Sequence, residues 1–187
     1  MFKKLLGLTA ATFIALTSLN ANAAFVHHDI YLDNVVADPG NAFGLSDGFA
    51  GVIGFLEFDT MNANAQAEVD ATLDPMFNFE INLGGTIFTM ADDIFGDAWA
   101  AFEYPITVDG LLNNLQVFFA DLIDINGNEV IVDYDVLAGA NYFDAIDAQG
   151  NYLFGDVSFV NSSVVPEPPM LALVLIGLFA VRRFSKK

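Results

Sequence analysis

The sequence predicts an all-β fold, an antiparallel β-sandwich or barrel-like domain flanked by an N-terminal signal helix and a short C-terminal transmembrane helix. Three observations predict it. Large apolar residues alternate at period two through the middle of the chain, Gly and Asn turns cut that alternation into short runs, and long apolar runs occur only near the two ends.

The N-terminal element shows three signals in order. "MFKK" is a basic region, "LLGLTAATFIALTSL" is an apolar one, and Ala21-Asn22-Ala23 sets small side chains at the two positions that a signal peptidase reads. Residues 1–23 are therefore expected to be a signal peptide, cut between Ala23 and Ala24.

Residues 24–160 are expected to form the β ectodomain. "GVIGFLEFDT" alternates about Phe55, and Phe77, Phe79, Ile81 and Leu83 alternate before a Gly84-Gly85 hairpin turn. "LQVFFADLIDINGNEVIVDYDVL" alternates through Val117, Phe119, Ile123 and Ile125, turns at Asn126-Gly127, and resumes through Val130, Val132, Tyr134 and Val136. "NYFDAIDAQGNYLFGDVSFV" turns near Gln149-Gly150. Short strands punctuated in this way belong to sandwiches and barrels. Ala-rich "NANAQAEVDATLD" reads instead as one or two helical turns, and "VVADPGNAFGLSDGFAG" as a long loop. No cysteine is present, so a core must carry the fold, and 15 of the 19 phenylalanines, all five tyrosines and Trp99 lie in this body. Acidic disordered chains are poor in such residues.

The charges are sorted by position. All six Lys and Arg lie near the ends: Lys3, Lys4, Arg182, Arg183, Lys186 and Lys187. Every acidic residue of the 24 except Glu167 lies between Ala24 and Val165, which leaves the body 23 carboxylates and no cation but its two histidines. A surface without Lys or Arg has nothing with which to neutralise phosphates, so nucleic acid is excluded as a partner. Schiff-base lysine chemistry, cysteine nucleophiles and Arg–phosphate clamps are excluded on the same count.

At the C-terminal end, residues 161–169 read as a stalk containing Pro166, Glu167 and Pro168, and residues 170–187 as a transmembrane helix with a basic tail. The apolar run Met170–Val181 would span about 18 Å as a helix, against a hydrocarbon core of about 30 Å. It suits a hold-up signal better than a permanent anchor, with Arg182, Arg183, Lys186 and Lys187 retained on the cytoplasmic side.

Together, "VPEPPMLALVLIGLFAVRR" resembles the PEP-CTERM sorting signal of exosortase substrates, with Pro166, Glu167 and Pro168 as the motif and Arg182 and Arg183 closing it. That resemblance implies export, transient insertion in the inner membrane, removal of the tail by a membrane-embedded exosortase, and release to the cell surface or extracellular matrix. "GFLEFDT" followed by "FEINLGGTIFT" is also similar to a recurrent all-β ectodomain of such proteins, which bears on fold alone.

Within the body, Gly44-Leu45-Ser46-Asp47-Gly48 spells G-x-S-x-G, but its setting is loop and both histidines precede it, so a loop is expected there. His27 and His28 are expected to be exposed at the start of a first strand rather than ligands. Asp121, Asp124, Asn126, Asn128 and Glu129 present the oxygens that Ca²⁺ takes and are the candidate metal ligands. A polar Asn-Gly hairpin turn accounts for the same residues and is the preferred reading. Unpaired carboxylates pushed together by folding are expected to titrate above their ordinary values. The function expected is that of a non-enzymatic surface or matrix protein, with exopolysaccharide as the partner class and no required cofactor. The alternative is a polysaccharide-acting enzyme using a carboxylate pair such as Asp92/Asp93 or Asp133/Asp135.

Overall fold

The computed structural model describes residues 24–103, 107–108, 111–112 and 114–166. The expected signal peptide with Ala21 and Ala23, the Glu167-Pro168 pair, the apolar run and the basic tail lie outside the described residues.

Alternation governs what forms. The strands are β1 (Ala24–Ala37), β2 (Gly51–Asp59), β3 (Glu68–Asp70), β4 (Asn78–Leu83), β5 (Thr86–Thr89), β6 (Trp99–Ala101), β7 (Thr107–Val108), β8 (Leu111–Leu112), β9 (Gln116–Ile123), β10 (Glu129–Asp135), β11 (Ala140–Ile146) and β12 (Tyr152–Pro166). Ten of them make one antiparallel sheet in the order β3-β6-β9-β10-β11-β12-β1-β2-β4-β5, and β7 and β8 pair separately. No α-helix occurs among the described residues. The protein is all-β, as expected, and its architecture is a single curled sheet, a half-barrel.

The curl has a cause in the inner face. Phe79 on β4 and Phe119 on β9 have five strands between them in the sheet, yet both are fully buried and their rings stack. Phe58 of β2 stacks on Phe102, just after β6, with centroids 6.2 Å apart. Only a sheet wrapped about its own apolar face brings these rings together. Each fully buried side chain of this size contributes about 1.5–3 kcal/mol. The chain after β5 returns beside β9, where Ile123 donates its backbone N–H to the Asp92 carbonyl at 2.9 Å.

Several expectations are corrected. The alternation in β9 does not run on through Ile123 and Ile125. A bulge lets two residues, Ala120 and Asp121, oppose Ile131, with Asp121 at φ 51°. Leu122 is thereby turned into the core, and Ile125 is left 99% exposed at the hairpin tip. The Ala-rich stretch forms β3 between turns rather than a helix; the one helical element nearby is a 3₁₀ turn, Thr60–Asn62. Asn64 Oδ1 accepts the Gln66 and Glu68 N–H groups, and Asp70 Oδ1 accepts those of Thr72 and Leu73, so side chains take the donors a helix would need. His28 is 3% exposed, because its place in β1 sets it with Val26, Ile30 and Leu32 on the inner face. The long loop is present over residues 38–50, but it carries a fully buried Phe43, which packs near Phe88. Ser46 of the G-x-S-x-G stretch is exposed in that loop, which is followed by β2. Strand pairing in β12 continues to Pro166, through the residues expected to be stalk.

Candidate functional site: an acidic and aromatic sheet face

With one face of the sheet committed to the core, the other shows what the molecule offers to partners. Residues directly opposed across an antiparallel pair share a face. Trp99, Phe118, Asp133, Tyr142 and Asp156 are opposed in turn across β6, β9, β10, β11 and β12. They form one row on the outer face, alternating along each strand with core residues such as Val132, Phe143 and Val157. The neighbouring row is Ile131, Asp144 and Phe154, and beyond it lie Glu129, Ile146 and Tyr152. Tyr142, Tyr152 and Phe154 are each nearly half exposed. Trp99 and Phe118 lie with ring centroids 6.1 Å apart.

Carboxylates fill the gaps between these rings. The β9 bulge swings Asp121 onto this face beside Glu129. Burial raises the Glu129 carboxyl above its ordinary value, and the neighbouring Asp121 carboxylate, which favours the protonated form of Glu129, and the charge of Asp144 add to it. Asp97 is raised likewise, by burial first and then by Asp93 and Asp121. The Tyr142 hydroxyl donates to Asp144 Oδ2 at 2.8 Å, which raises the phenol. Asp144 Oδ1 is shut off from solvent with no hydrogen-bond partner. At the end of the first row, Asn34 donates its amide to Asp156 at 2.7 Å. Beside it opens a depression of about 560 Å³ lined by Tyr31, Asn34, Val52, Asn141, Asp156 and Ser158.

The five predicted metal-ligand candidates divide between two settings. Asp121 and Glu129 join the outer face. Asp124, Asn126 and Asn128 build a turn instead. Asp124 Oδ1 accepts the Asn126 and Asn128 N–H groups at 2.8 and 2.9 Å, and Oδ2 accepts both side-chain amides. Burial pushes the Asp124 carboxyl up, but these bonds from Asn128 and Asn126 outweigh it and leave the group below its ordinary value. The hairpin reading accounts for these three residues. Among the described residues, no three acidic or histidine side chains gather closely enough to hold a metal ion.

The same turn occurs a second time. "DINGN" at 124–128 is matched by "DAQGN" at 147–151, a parallel that sequence reasoning missed although the shared Asp, Gly and Asn spell it out. Asp147 Oδ1 accepts the Gln149 and Asn151 N–H groups, while Oδ2 accepts the Asn151 amide and the Ala42 N–H. The Asn151 side chain, then backbone donors, bring the Asp147 carboxyl down to about 2. The two turns also interlock, since Ala148 N–H donates to Asn128 Oδ1 at 3.1 Å.

These contacts correct the expectation that crowded carboxylates titrate high. Asp97 and Glu129 do, but Asp70, Asp124 and Asp147 titrate low because neutral donors, the Thr72 hydroxyl at Asp70 and chiefly asparagine amides at the other two, replace the missing cations. Three of the four carboxylates in the two alternative catalytic pairs are used in a similar way: Asp92 caps Thr89, Asp93 caps Gly96 to Ala98, and Asp135 caps Leu137 and Ala138, while Asp133 stands in the outer row. The His27 ring lies 2.8 Å from Glu57 Oε1 through Nδ1 and 3.4 Å from Asp29 Oδ1 through Nε2, contacts that are ion pairs when the imidazole is protonated.

The chain matches no protein-family model, no curated protein and no solved structure.

Proposed function

We propose that this is an exported, non-enzymatic protein of the cell surface or extracellular matrix, sorted by a PEP-CTERM signal and associated with exopolysaccharide. Its fold is read as a barrel-like ectodomain. The sorting half of the reading rests on the ordered ends: the signal sequence cut at Ala24, then Pro166-Glu167-Pro168, a short apolar run, and Arg182-Arg183. Signal peptidase and an exosortase are the processing partners, and the inner membrane is a transient host.

One observation carries the polysaccharide half. The outer face sets aromatic rings and carboxylates side by side in registered rows, from Trp99 to Asp156. Rings stack on the C–H faces of pyranoses, and carboxylates accept from sugar hydroxyls. The enzyme alternative finds less support here. Of its two candidate pairs, Asp92, Asp93 and Asp135 accept backbone N–H groups of their own turns, which ties them to local structure.

Mass spectrometry of the surface fraction of an exosortase-bearing host tests the sorting. The mature chain is expected to begin at Ala24 and to lack Arg182–Lys187. A surface protein that retains the basic tail overturns it. Replacing Pro166-Glu167-Pro168 is expected to hold the protein in the inner membrane.

A further inference from the structure

Resting on that reading, we propose that the polysaccharide recognised by the outer face of β10–β12 is one that carries free amines, an amino-sugar polymer with unacetylated positions. Two independent features of the face point there. The first is its charge. No Lys or Arg occurs anywhere between Ala24 and Val165, so an acidic polymer meets only repulsion, while a polymeric cation is attracted from a distance.

The second is local. Along the β11–β12 ribbon the opposed pairs are Tyr142 with Asp156, Asp144 with Phe154 and Ile146 with Tyr152. Over the first two pairs ring and carboxylate change sides, with Tyr142 and Phe154 diagonal to one another about 7–8 Å apart and Asp144 beside both, and Tyr152 adds a further ring on β12. An ammonium group is attracted both to aromatic faces and to carboxylates, and this pattern offers the two together. Asp144 is the focus. Its Oδ2 accepts the Tyr142 hydroxyl at 2.8 Å, which fixes the carboxylate beside the ring, so that an ammonium meets the charge and the aromatic face in one place. Asp133, opposite Tyr142 on β10, and Asp156, opposite it on β12, flank the ring with a carboxylate on either side.

The test is titration calorimetry on the full-length chain in mild detergent, at about pH 6, where both amino-sugar ammonium and ordinary carboxylates are charged. The probes are a glucosamine oligomer with free amines, the same oligomer fully N-acetylated, and a uronate oligomer with and without Ca²⁺. Only the free-amine oligomer is expected to bind measurably. Asp144→Asn and Tyr142→Ala are each expected to weaken it about tenfold, the scale of one charged hydrogen bond. Tyr142→Phe keeps the ring and is expected to retain most of the affinity. Glu80→Gln, which removes one charge from the outer face of β4, is expected to change it less than about twofold.

Equal weakening by Glu80→Gln and Asp144→Asn means diffuse charge rather than a site and overturns the proposal. So does equal binding of the N-acetylated oligomer, or no binding of the free-amine one. Binding of uronate through Ca²⁺ alone also overturns it, while leaving the exopolysaccharide reading in place. Tail processing is scored separately, so failure of sorting is distinguishable from failure here.

Discussion

Phe79 and Phe119 stack with ring centroids 4.3 Å apart and planes inclined by 20°, although they belong to strands separated by five others in the sheet. The pair closes the curl. It is the contact through which β4 and β9 hold the two ends of the sheet over one core, and both rings are fully buried.

Truncating either ring is therefore expected to remove transfer energy and leave a void. Phe79→Ala and Phe119→Ala should each cost about 3–5 kcal/mol, read from urea melts of the full-length chain in detergent. The double variant should cost less than the sum of the two, because the partner's contacts are already lost in each single one. Additive costs would mean that the rings do not couple.

A second prediction concerns Gly54, where β2 crosses closest to β4. A Cβ at this position would clash with the Glu80 carbonyl oxygen, far inside van der Waals contact, and that backbone atom cannot swing aside. Gly54→Ala is expected to break the β2–β4 register and to yield insoluble or unfolded protein. Gly40→Ala, with open space around the new methyl but φ at 82°, should fold at a cost of about 1–2 kcal/mol.

A third concerns a buried carboxylate that lacks a cation. Asp74 is 0% exposed; Oδ2 accepts the Asp59 N–H at 2.6 Å, and Oδ1 accepts Met76 N–H and the Asn62 amide at 2.8 and 2.9 Å. Asp74→Ala strands three donors and should cost about 3 kcal/mol or more, whereas Asp74→Asn keeps an acceptor and should cost less. Equal costs for the two variants would show that the donors find water instead.

The fourth is a pH dependence. Burial lowers His28 to about 4 from its ordinary 6.5, His27 adds to that, and Asp29 opposes it. Phe58 lies stacked 6.5 Å away and Phe159 meets the ring edge-on at 6.2 Å, and neither ring nitrogen has a partner. A folded pKa below the unfolded one means that the unfolded chain binds the proton first. His28 therefore withdraws about 3 kcal/mol of stability as pH falls from about 6.5 to 4. Asp97 and Glu129, titrating high, oppose it, since their contribution is present below their unfolded values and lost on raising the pH. The low-titrating Asp70, Asp124 and Asp147 keep theirs until lower pH still. Melting temperature followed from pH 7 to 4 should fall for the native chain and fall less, or rise, for His28→Phe. Parallel curves for the two proteins would remove the imidazole as the cause.

How much was legible beforehand follows from what each signal measures. Period-two alternation reports which face is apolar, and Phe77, Phe79, Ile81 and Leu83 were read correctly because β4 is regular. It fails where one residue is inserted: the bulge at Asp121 leaves no compositional mark, so the alternation points to Ile123 and Ile125 while the fold buries Leu122. His28 was misplaced because a polar residue type was weighed above its position in the same alternation. The candidate face was hidden for another reason. Which outer residues become neighbours depends on register across five strands, and although the hairpin about Gln149-Gly150 sets Asp144 opposite Phe154, no local pattern encodes the pairing of Trp99 with Phe118. The turn residues Asp124, Asn126 and Asn128 were found, since turn chemistry is local.

The position of β12 in the sheet has a mechanical consequence. This strand is interior, hydrogen-bonded to β11 on one side and neighbouring β1 on the other. Tension applied through the residues that follow it pulls along its length, so two ladders of hydrogen bonds must shear together rather than peel one at a time as they would from an edge strand. A chain held by its C-terminal end is thus gripped where the sheet is hardest to tear, and the short edge strands β3 and β5 stay out of the line of force.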